Sequence, residues 1–379
     1  MITILRSKNV LVNEKFIEAD IVIKGEFIQS IDAYGSNEVA VDLGFKKIVP
    51  GIVDLHSDAI EKEIEPRHGA TFPVELAIAE LDKKLSMAGI TTMFHAIGFE
   101  DNPKKKRSVY LARQQIEEIY NANKKHLGVD NLIHARFELS SSDAIEPIKE
   151  VIDLGMVKLL SIMDHSPGQG QFKTLETFKT YYSNYYGLND DEVQDVVDKK
   201  MNKDEEKINN LISHAKENKI TLLSHDDDCI EKLDGLLDLG VQISEFPLDL
   251  EVAKYAVSKG IATGMGAPNI VRGGSQSGNI AAIDLVREDV CKYLCSDYHP
   301  TSMLQAVYKM KEDANLPLEI GFSMITSTPA KYANLADRGE LKAGKLADIL
   351  VIDDSHIPKV VLTLKDGESI YNGIRGFKL

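Results

Sequence analysis

The chain has 379 residues, 43% of them hydrophobic, with a formal charge of −15 at neutral pH. That length closes a large core without covalent staples, and the acidic balance, with no basic stripe to offset it, excludes nucleic acid and anionic membrane as general partners. Cys229, Cys291 and Cys295 are odd in number and form no CxxC pair, so free thiols in a reducing compartment are expected rather than a disulfide framework. The early charges of MITILRSKNVLVNEKF do not suit a signal peptide, and no run of about 18 apolar residues occurs, so the expected location is the cytoplasm.

Residues 1–47 read as short strands, among them NVLVN and FIEADIVIKGEFIQSI with a Lys24-Gly25 turn. The same texture returns in GELKAGKLADILVIDD and VVLTLKDGESIYNG, so residues 1–47 and 340–379 are predicted to build one small β-sandwich domain from both termini. Between them, short apolar strands alternate with helical segments such as VELAIAELDKKLSMAG and EVAKYAVSKG, which end at Gly89 and Gly260. Eight strands are predicted, at 47–56, 90–98, 132–140, 157–165, 220–225, 241–246, 261–266 and 293–297. Strand alternating with helix implies a parallel sheet, and the stretch from Asp58 to Asp297 suits an α/β fold of the (β/α)8 TIM-barrel type, which takes roughly 250 residues, so residues 48–339 are read as that barrel. A doubly wound open sheet is the alternative, but no Gly-rich dinucleotide turn follows the first strand. Residues 166–219 are too long for one crossover and are predicted to hold a helical insertion. Its Tyr181, Tyr182, Tyr185 and Tyr186 either cap the barrel mouth as a lid or pack on the rim.

In such a barrel, polar residues at the C-terminal strand ends share one mouth. That rule gathers His56 and Asp58 after the first strand, Glu138 late in the third, and His165, His225 and Asp297 after the fourth, fifth and eighth. Three imidazoles and three carboxylates suit Zn²⁺, Mn²⁺ or Fe²⁺, and six ligands fit two divalent ions better than one. Asp226, Asp227 and Asp228 read as turn or supporting residues. His95 is a core or substrate-facing residue, and His126, His214 and His356 are peripheral.

These residues carry a resemblance. VPGIVDLHSD and GELKAGKLADILVIDD resemble the opening and closing signatures of the amidohydrolase superfamily, although this chain has His56-Ser57-Asp58 where most members have His-x-His. EPRHGATFP, MDHSPGQGQF, SHDDD, EFP, GAPNIVRGGSQSGN and SDYHP are similar to a branch that cleaves α-D-ribose 1-methylphosphonate 5-triphosphate during phosphonate catabolism. The resemblance implies a metal-dependent hydrolase with two divalent ions, zinc foremost. His56, Asp58 and Asp297 would hold one ion and His165 and His225 the other, with Glu138 bridging and Lys158 as the runner-up bridge. Asp297 would be the catalytic proton acceptor. The role of Glu245 stays open between contacting substrate and supporting a ligand. The expected partner is a small phosphorylated sugar, and relatives of this kind often form homo-oligomers.

A triphosphate needs cations beyond the metals. Arg67 and His68 in the loop after the first strand, Lys173 after His165, and Arg272 with Gly273 and Gly274 after the seventh are the candidates for substrate binding. The glycine turn would present backbone N–H groups to an anion, with Arg272 adding a forked contact. The run NPKKKRS at 102–108 reads as a solvated face. The rival readings are an amide or C–N hydrolase of the same superfamily and a non-catalytic barrel scaffold.

Overall fold

The computed structural model describes residues 2–100, 108–125, 127–170, 174–275 and 278–374. Strands from both termini form one sheet: β1 (Ile2–Val12), β2 (Lys15–Lys24), β3 (Phe27–Ala33), β4 (Val41–Asp42) and β5 (Lys47–Pro50) from the beginning of the chain. Its other strands, β14 (Ile349–Asp353), β15 (Lys359–Lys365) and β16 (Glu368–Asn372), come from the end, and β5 is seated between β1 and β14. Leu5, Ile21, Ile48, Ile349 and Leu362 close a separate small core beneath it.

The second sheet is the barrel. Its strands are β6 (Ile52–Ser57), β7 (Ile90–Phe99), β8 (Asp130–Glu138), β9 (Val157–Met163), β10 (Thr221–His225), β11 (Ile243–Glu245), β12 (Ala262–Gly266) and β13 (Tyr293–Cys295), side by side in chain order and parallel throughout. A parallel bridge between Ser57 and Asp297 draws the first and last strands together. The strands are almost wholly buried because helices cover the outside, which is why they read as continuous apolar runs. Val53, Leu55, Phe94, Leu159, Leu223, Ile243 and Tyr293 fill the interior, so the barrel is a packed core open only at its ends.

The stretch 47–56, predicted as one strand, is two. Lys47–Pro50 pairs with β14 and Ile52–Ser57 with β7, the change of sheet falling at Gly51. A Cβ at Gly51 would lie 2.2 Å from Thr91 Oγ1, so only glycine passes the strand there without displacing it. The predicted insertion contains helices Leu175–Tyr186 and Asp190–Met201, while Glu205–Glu217 packs on β10 as a barrel helix. The four tyrosines stack on one another and on Phe178, with Tyr181 and Tyr185 parallel at 5.3 Å and Phe178 and Tyr182 at 4.4 Å. The basic residues at 102–107 and His126 lie outside the described residues.

Candidate metal centre

The site lies at the C-terminal ends of the barrel strands, three of which finish in the same way. His225 is followed by Asp226 (φ 52°), Glu245 by Phe246 (φ 55°) and Ser296 by Asp297 (φ 54°), all non-glycine residues in the left-handed region. Each keeps its N–H in the barrel ladder: Asp226 donates to the Glu245 carbonyl (2.9 Å), Phe246 to Gly264 (2.8 Å) and Asp297 to His56 (3.0 Å). The chain therefore turns sharply outward one residue after His225 and Glu245, leaving those side chains fixed on the last rung.

There His56, His225 and Glu245 form a buried group whose ligand atoms lie within 4.8 Å of one another. Glu245 Oε2 is 3.0 Å from His56 Nδ1 and 3.8 Å from His225 Nδ1. The two imidazoles stack with centroids 5.6 Å apart, and the Phe246 ring stands edge-on to both. Tyr293 donates its hydroxyl to Glu245 Oε1 (3.1 Å) from within the barrel. Burial pushes the Glu245 carboxyl up, yet the surrounding His56, His134 and His225 hold it well below the usual range. His56 answers in kind: burial disfavours its charge, but the Glu245 carboxylate raises its affinity for a proton overall. His134 is a structural imidazole. Its Nδ1 donates to the Leu55 carbonyl (3.0 Å), leaving Nε2 to accept from Ser161 Oγ (2.6 Å), and burial holds its pKa down at about 4.

The donor set fits a divalent ion. His225 Nδ1 is buried with no hydrogen-bond partner among the described residues, and its imidazole is kept neutral by burial. An orphaned neutral nitrogen beside a carboxylate and a second imidazole is the arrangement that nitrogen and oxygen ligands present to zinc or manganese.

Asp58 stands at the rim of this group, its Oδ1 3.8 Å from His56 Nε2, and it is paired with Arg136. Asp297 is half-buried beside it. Burial pushes its carboxyl up to about 6, with His56 opposing the shift and Asp58 adding to it. His165 is one step further out, its ring 6.4 Å from that of His225. Glu138, expected to bridge two ions, gives Oε2 to His165 Nδ1 (2.6 Å) and Oε1 to Lys200 (3.3 Å). Burial opposes its ionisation, but the His165 hydrogen bond and charge and Lys200 bring its pKa down to about 2. The carboxylate that faces both inner imidazoles is Glu245.

Beside the metal group is a cavity of about 120 Å³ lined by Asp297, Phe246, Asp226, Tyr298, Arg272 and Gly274, among others. Arg272 thus shares a cavity with Asp297, its Nη1 3.3 Å from the Tyr298 hydroxyl. The expected backbone anion nest at Gly273 and Gly274 is corrected. Their N–H groups donate backwards to Ile270 (3.2 Å) and Asn269 (2.9 Å), closing the helix Ala267–Arg272 with left-handed Gly273 at its end. Arg67 and His68 are exposed and stand apart from this cavity: Arg67 belongs to a turn closed by the Ala70 N–H, and His68 borders a separate hollow of about 760 Å³. Lys173 lies outside the described residues.

Arg136 and Lys200 were missed in the sequence reading. Arg136 had a signal, since it is two residues before Glu138 on the same strand and so on the same face. Lys200 had none, because a helix far along the chain delivers it.

The fold and site define a parallel eight-stranded barrel with a buried nitrogen and oxygen donor group at the strand ends. The profile described as Amidohydrolase family matches residues 169–376, and the chain belongs to that family. It is 32% identical over 319 residues to the alpha-D-ribose 1-methylphosphonate 5-triphosphate diphosphatase of Escherichia coli (strain K12), a match covering 82% of this chain and 84% of that protein. An adenine deaminase of Clostridium perfringens is 24% identical over 390 residues, covering 96% of this chain and 58% of the deaminase. Among solved structures, the N-acetyl-D-glucosamine-6-phosphate deacetylase of Mycobacterium smegmatis superposes with a TM-score of 0.66 at 14% identity, over 97% of this chain and all of that one, which shows a shared fold. No helix among the described residues is long and apolar enough to cross a membrane.

Proposed function

We propose that the chain is a metal-dependent diphosphatase that cleaves a ribosyl 5-triphosphate, α-D-ribose 1-methylphosphonate 5-triphosphate, to the 5-phosphate and pyrophosphate. The similarity to the Escherichia coli diphosphatase over most of both chains supports the substrate class. The observation that carries the chemistry is the buried group of His56, His225 and Glu245 beside a cavity shared by Asp297 and Arg272.

His56, His225 and Glu245 would hold a divalent ion, with Asp58, Asp297, His165 and Glu138 as the further candidate ligands. Such an ion lowers the pKa of a water toward about 7 and offsets charge on phosphate oxygens. In the reaction, water oxygen bonds to phosphorus, the P–O bond between the α- and β-phosphates breaks, and pyrophosphate departs with the electron pair. Asp297, half-buried at the cavity wall, accepts the proton that water loses. The Arg272 guanidinium offers N–H donors to phosphate oxygens in the same cavity. Phe246 covers the two imidazoles with an apolar ring and limits bulk water. A cavity of about 120 Å³ takes a phosphate group rather than a whole nucleotide-sized ligand, for which roughly 300 Å³ or more is usual, so the sugar and methylphosphonate would lie above the mouth.

The test is pyrophosphate release by enzyme loaded with Zn²⁺ or Mn²⁺, given the ribosyl triphosphate, ATP or adenine. Turnover of the ribosyl triphosphate is expected. Metal-loaded enzyme that releases pyrophosphate from neither triphosphate would sink the assignment, and ammonia from adenine would move the chain to C–N hydrolysis.

A further inference from the structure

The six-ligand pattern in the sequence anticipated two metal ions, yet two of the carboxylates meant for them already carry fixed cations. Both oxygens of Asp58 lie against one nitrogen of Arg136, Nη1 being 3.1 Å from Oδ1 and 3.4 Å from Oδ2. The guanidinium itself is buried, its Nε turned to Met163 Sδ at 3.4 Å, so it reaches Asp58 from inside the barrel and not as a surface arm. Glu138 is fully buried, and its oxygens are occupied by Lys200 Nζ at 3.3 Å and by the His165 ring and backbone nitrogens at 2.6 and 3.1 Å.

The Lys200 contact is built rather than incidental. Its backbone carbonyl accepts from Ser166 Oγ (2.9 Å), and Lys203 pairs with Asp164 (2.7 Å), so two adjacent contacts stitch the end of the insertion helix to the loop after β9. An arginine cannot lose its proton under any ordinary condition, and a divalent ion brought onto Asp58 would meet that permanent charge at close range.

We infer that Arg136 and Lys200 supply the positive charge a second metal ion would bring, so that the resting site takes one divalent ion per chain. The inference rests on the metal centre proposed above. With Asp58 and Glu138 neutralised in pairs, Glu245 and Asp297 remain to offset a single ion of charge +2 held by His56, His225 and Glu245. The insertion then has a chemical task, which is to deliver an ammonium to Glu138.

The test is metal content, which does not depend on knowing the substrate. The full-length protein is loaded with excess Zn²⁺, and separately Mn²⁺, desalted, and analysed by plasma mass spectrometry against protein concentration. One equivalent per chain is expected. Two equivalents in the wild-type protein would overturn the inference while leaving the metal-dependent reading intact, and none would overturn both. The double variant Arg136→Met with Lys200→Met, confirmed folded by circular dichroism, should bind a second equivalent because Asp58 and Glu138 are released. A folded double variant that stays at one equivalent would also overturn the assigned role. Should the double variant not fold, Lys200→Met alone, which removes the partner contributed by the insertion helix, should raise the count above that of Lys200→Arg. Equal counts in these two would refute the part given to Lys200.

Discussion

Gly264 and Tyr293 are register partners on β12 and β13, and the Tyr293 ring lies directly over the glycine. An added Cβ at Gly264 would fall 2.2 Å from Tyr293 Cζ and 2.4 Å from its hydroxyl oxygen, so Gly264→Ala must push the ring by an ångström or so to regain ordinary contact. Tyr293 is fully buried among Val53, Phe94 and Ile243, which leaves the ring little room. Overpacking of this kind costs about 1–3 kcal/mol. The shift also draws the hydroxyl away from Glu245 Oε1, now 3.1 Å distant, and hydrogen bonds to a charged group contribute about 1.5–3 kcal/mol. Loss of such a ligand-supporting partner weakens metal binding by roughly 10–100-fold. Thermal denaturation of metal-free protein and chelator competition with Zn²⁺ read the two effects separately. Tyr293→Phe should weaken zinc to a similar degree while disturbing packing far less. If Gly264→Ala retained both its melting temperature and its zinc affinity, the ring would be free to move, and the claim that Tyr293 holds Glu245 in place would fall.

Arg272→Ala should lower kcat/KM for the triphosphate by roughly tenfold or more, the equivalent of one charge-assisted hydrogen bond, and unchanged kinetics would remove Arg272 from substrate binding. Lys232 is 3.1 Å from the fully buried Asp227 and also donates to the His225 carbonyl (3.1 Å), so Lys232→Met leaves a buried charge without its cation. Unfolding in urea should show a loss of about 3–5 kcal/mol, and a loss under about 1 kcal/mol would contradict the pairing. In the small sheet, the Arg6 guanidinium holds the Asp20 carboxyl well below the usual range, helped by the Gly35 and Asn37 N–H groups. Because folding favours the charged form, this contribution is complete above about pH 4 and fades as pH falls below it. The melting temperature should drop as pH falls from about 4 to about 2, less steeply in Asp20→Asn, and equal slopes would refute the assignment.

The barrel was readable because each strand is an apolar run followed by a helix of clear period, with Gly89 (φ 85°) ending one of them in the left-handed conformation that its position suggested. Strand ends were less so. Nothing local distinguishes Lys47–Pro50 from Ile52–Ser57, since both are extended and apolar and only their partners, β14 and β7, separate them. The strand-end rule pointed to His56, Asp58, Glu138, His165, His225 and Asp297, whereas Glu245 entered only through the family resemblance, with its role open. It was blind to what those residues touch. Arg136 sits in HARFE, where its apolar neighbours suggest a buried strand and conceal that its charge reaches Asp58. Gly273-Gly274 reads alike as an anion nest or a helix terminus. The distinction lies in six preceding residues, Ala267–Arg272, too short a helix to announce itself.

The three left-handed strand ends raise a sharper question, because a non-glycine residue in that region carries a penalty of about 1–2 kcal/mol that glycine would avoid. Glycine in turn loses about 0.4–1 kcal/mol through the greater freedom of the unfolded chain, so backbone energetics alone would leave Asp226→Gly between neutral and about 1.5 kcal/mol more stable. Asp226 is therefore not explained by its turn. Its Oδ2 is 3.9 Å from His225 Nε2, and the residue lines the cavity beside Asp297, so the carboxylate itself is what the position provides. Asp226→Gly should keep the melting temperature within a few degrees of wild type while reducing zinc affinity or turnover, because the turn survives and the charge beside His225 does not. Asp226→Ala should lower zinc affinity or turnover in the same way and melt no higher than the glycine variant, since alanine keeps the backbone penalty that glycine avoids. A glycine variant with unaltered metal binding and unaltered rate would show that Asp226 serves only the turn, and the chemistry of the strand ends would then reside in His56, His225, Glu245 and Asp297.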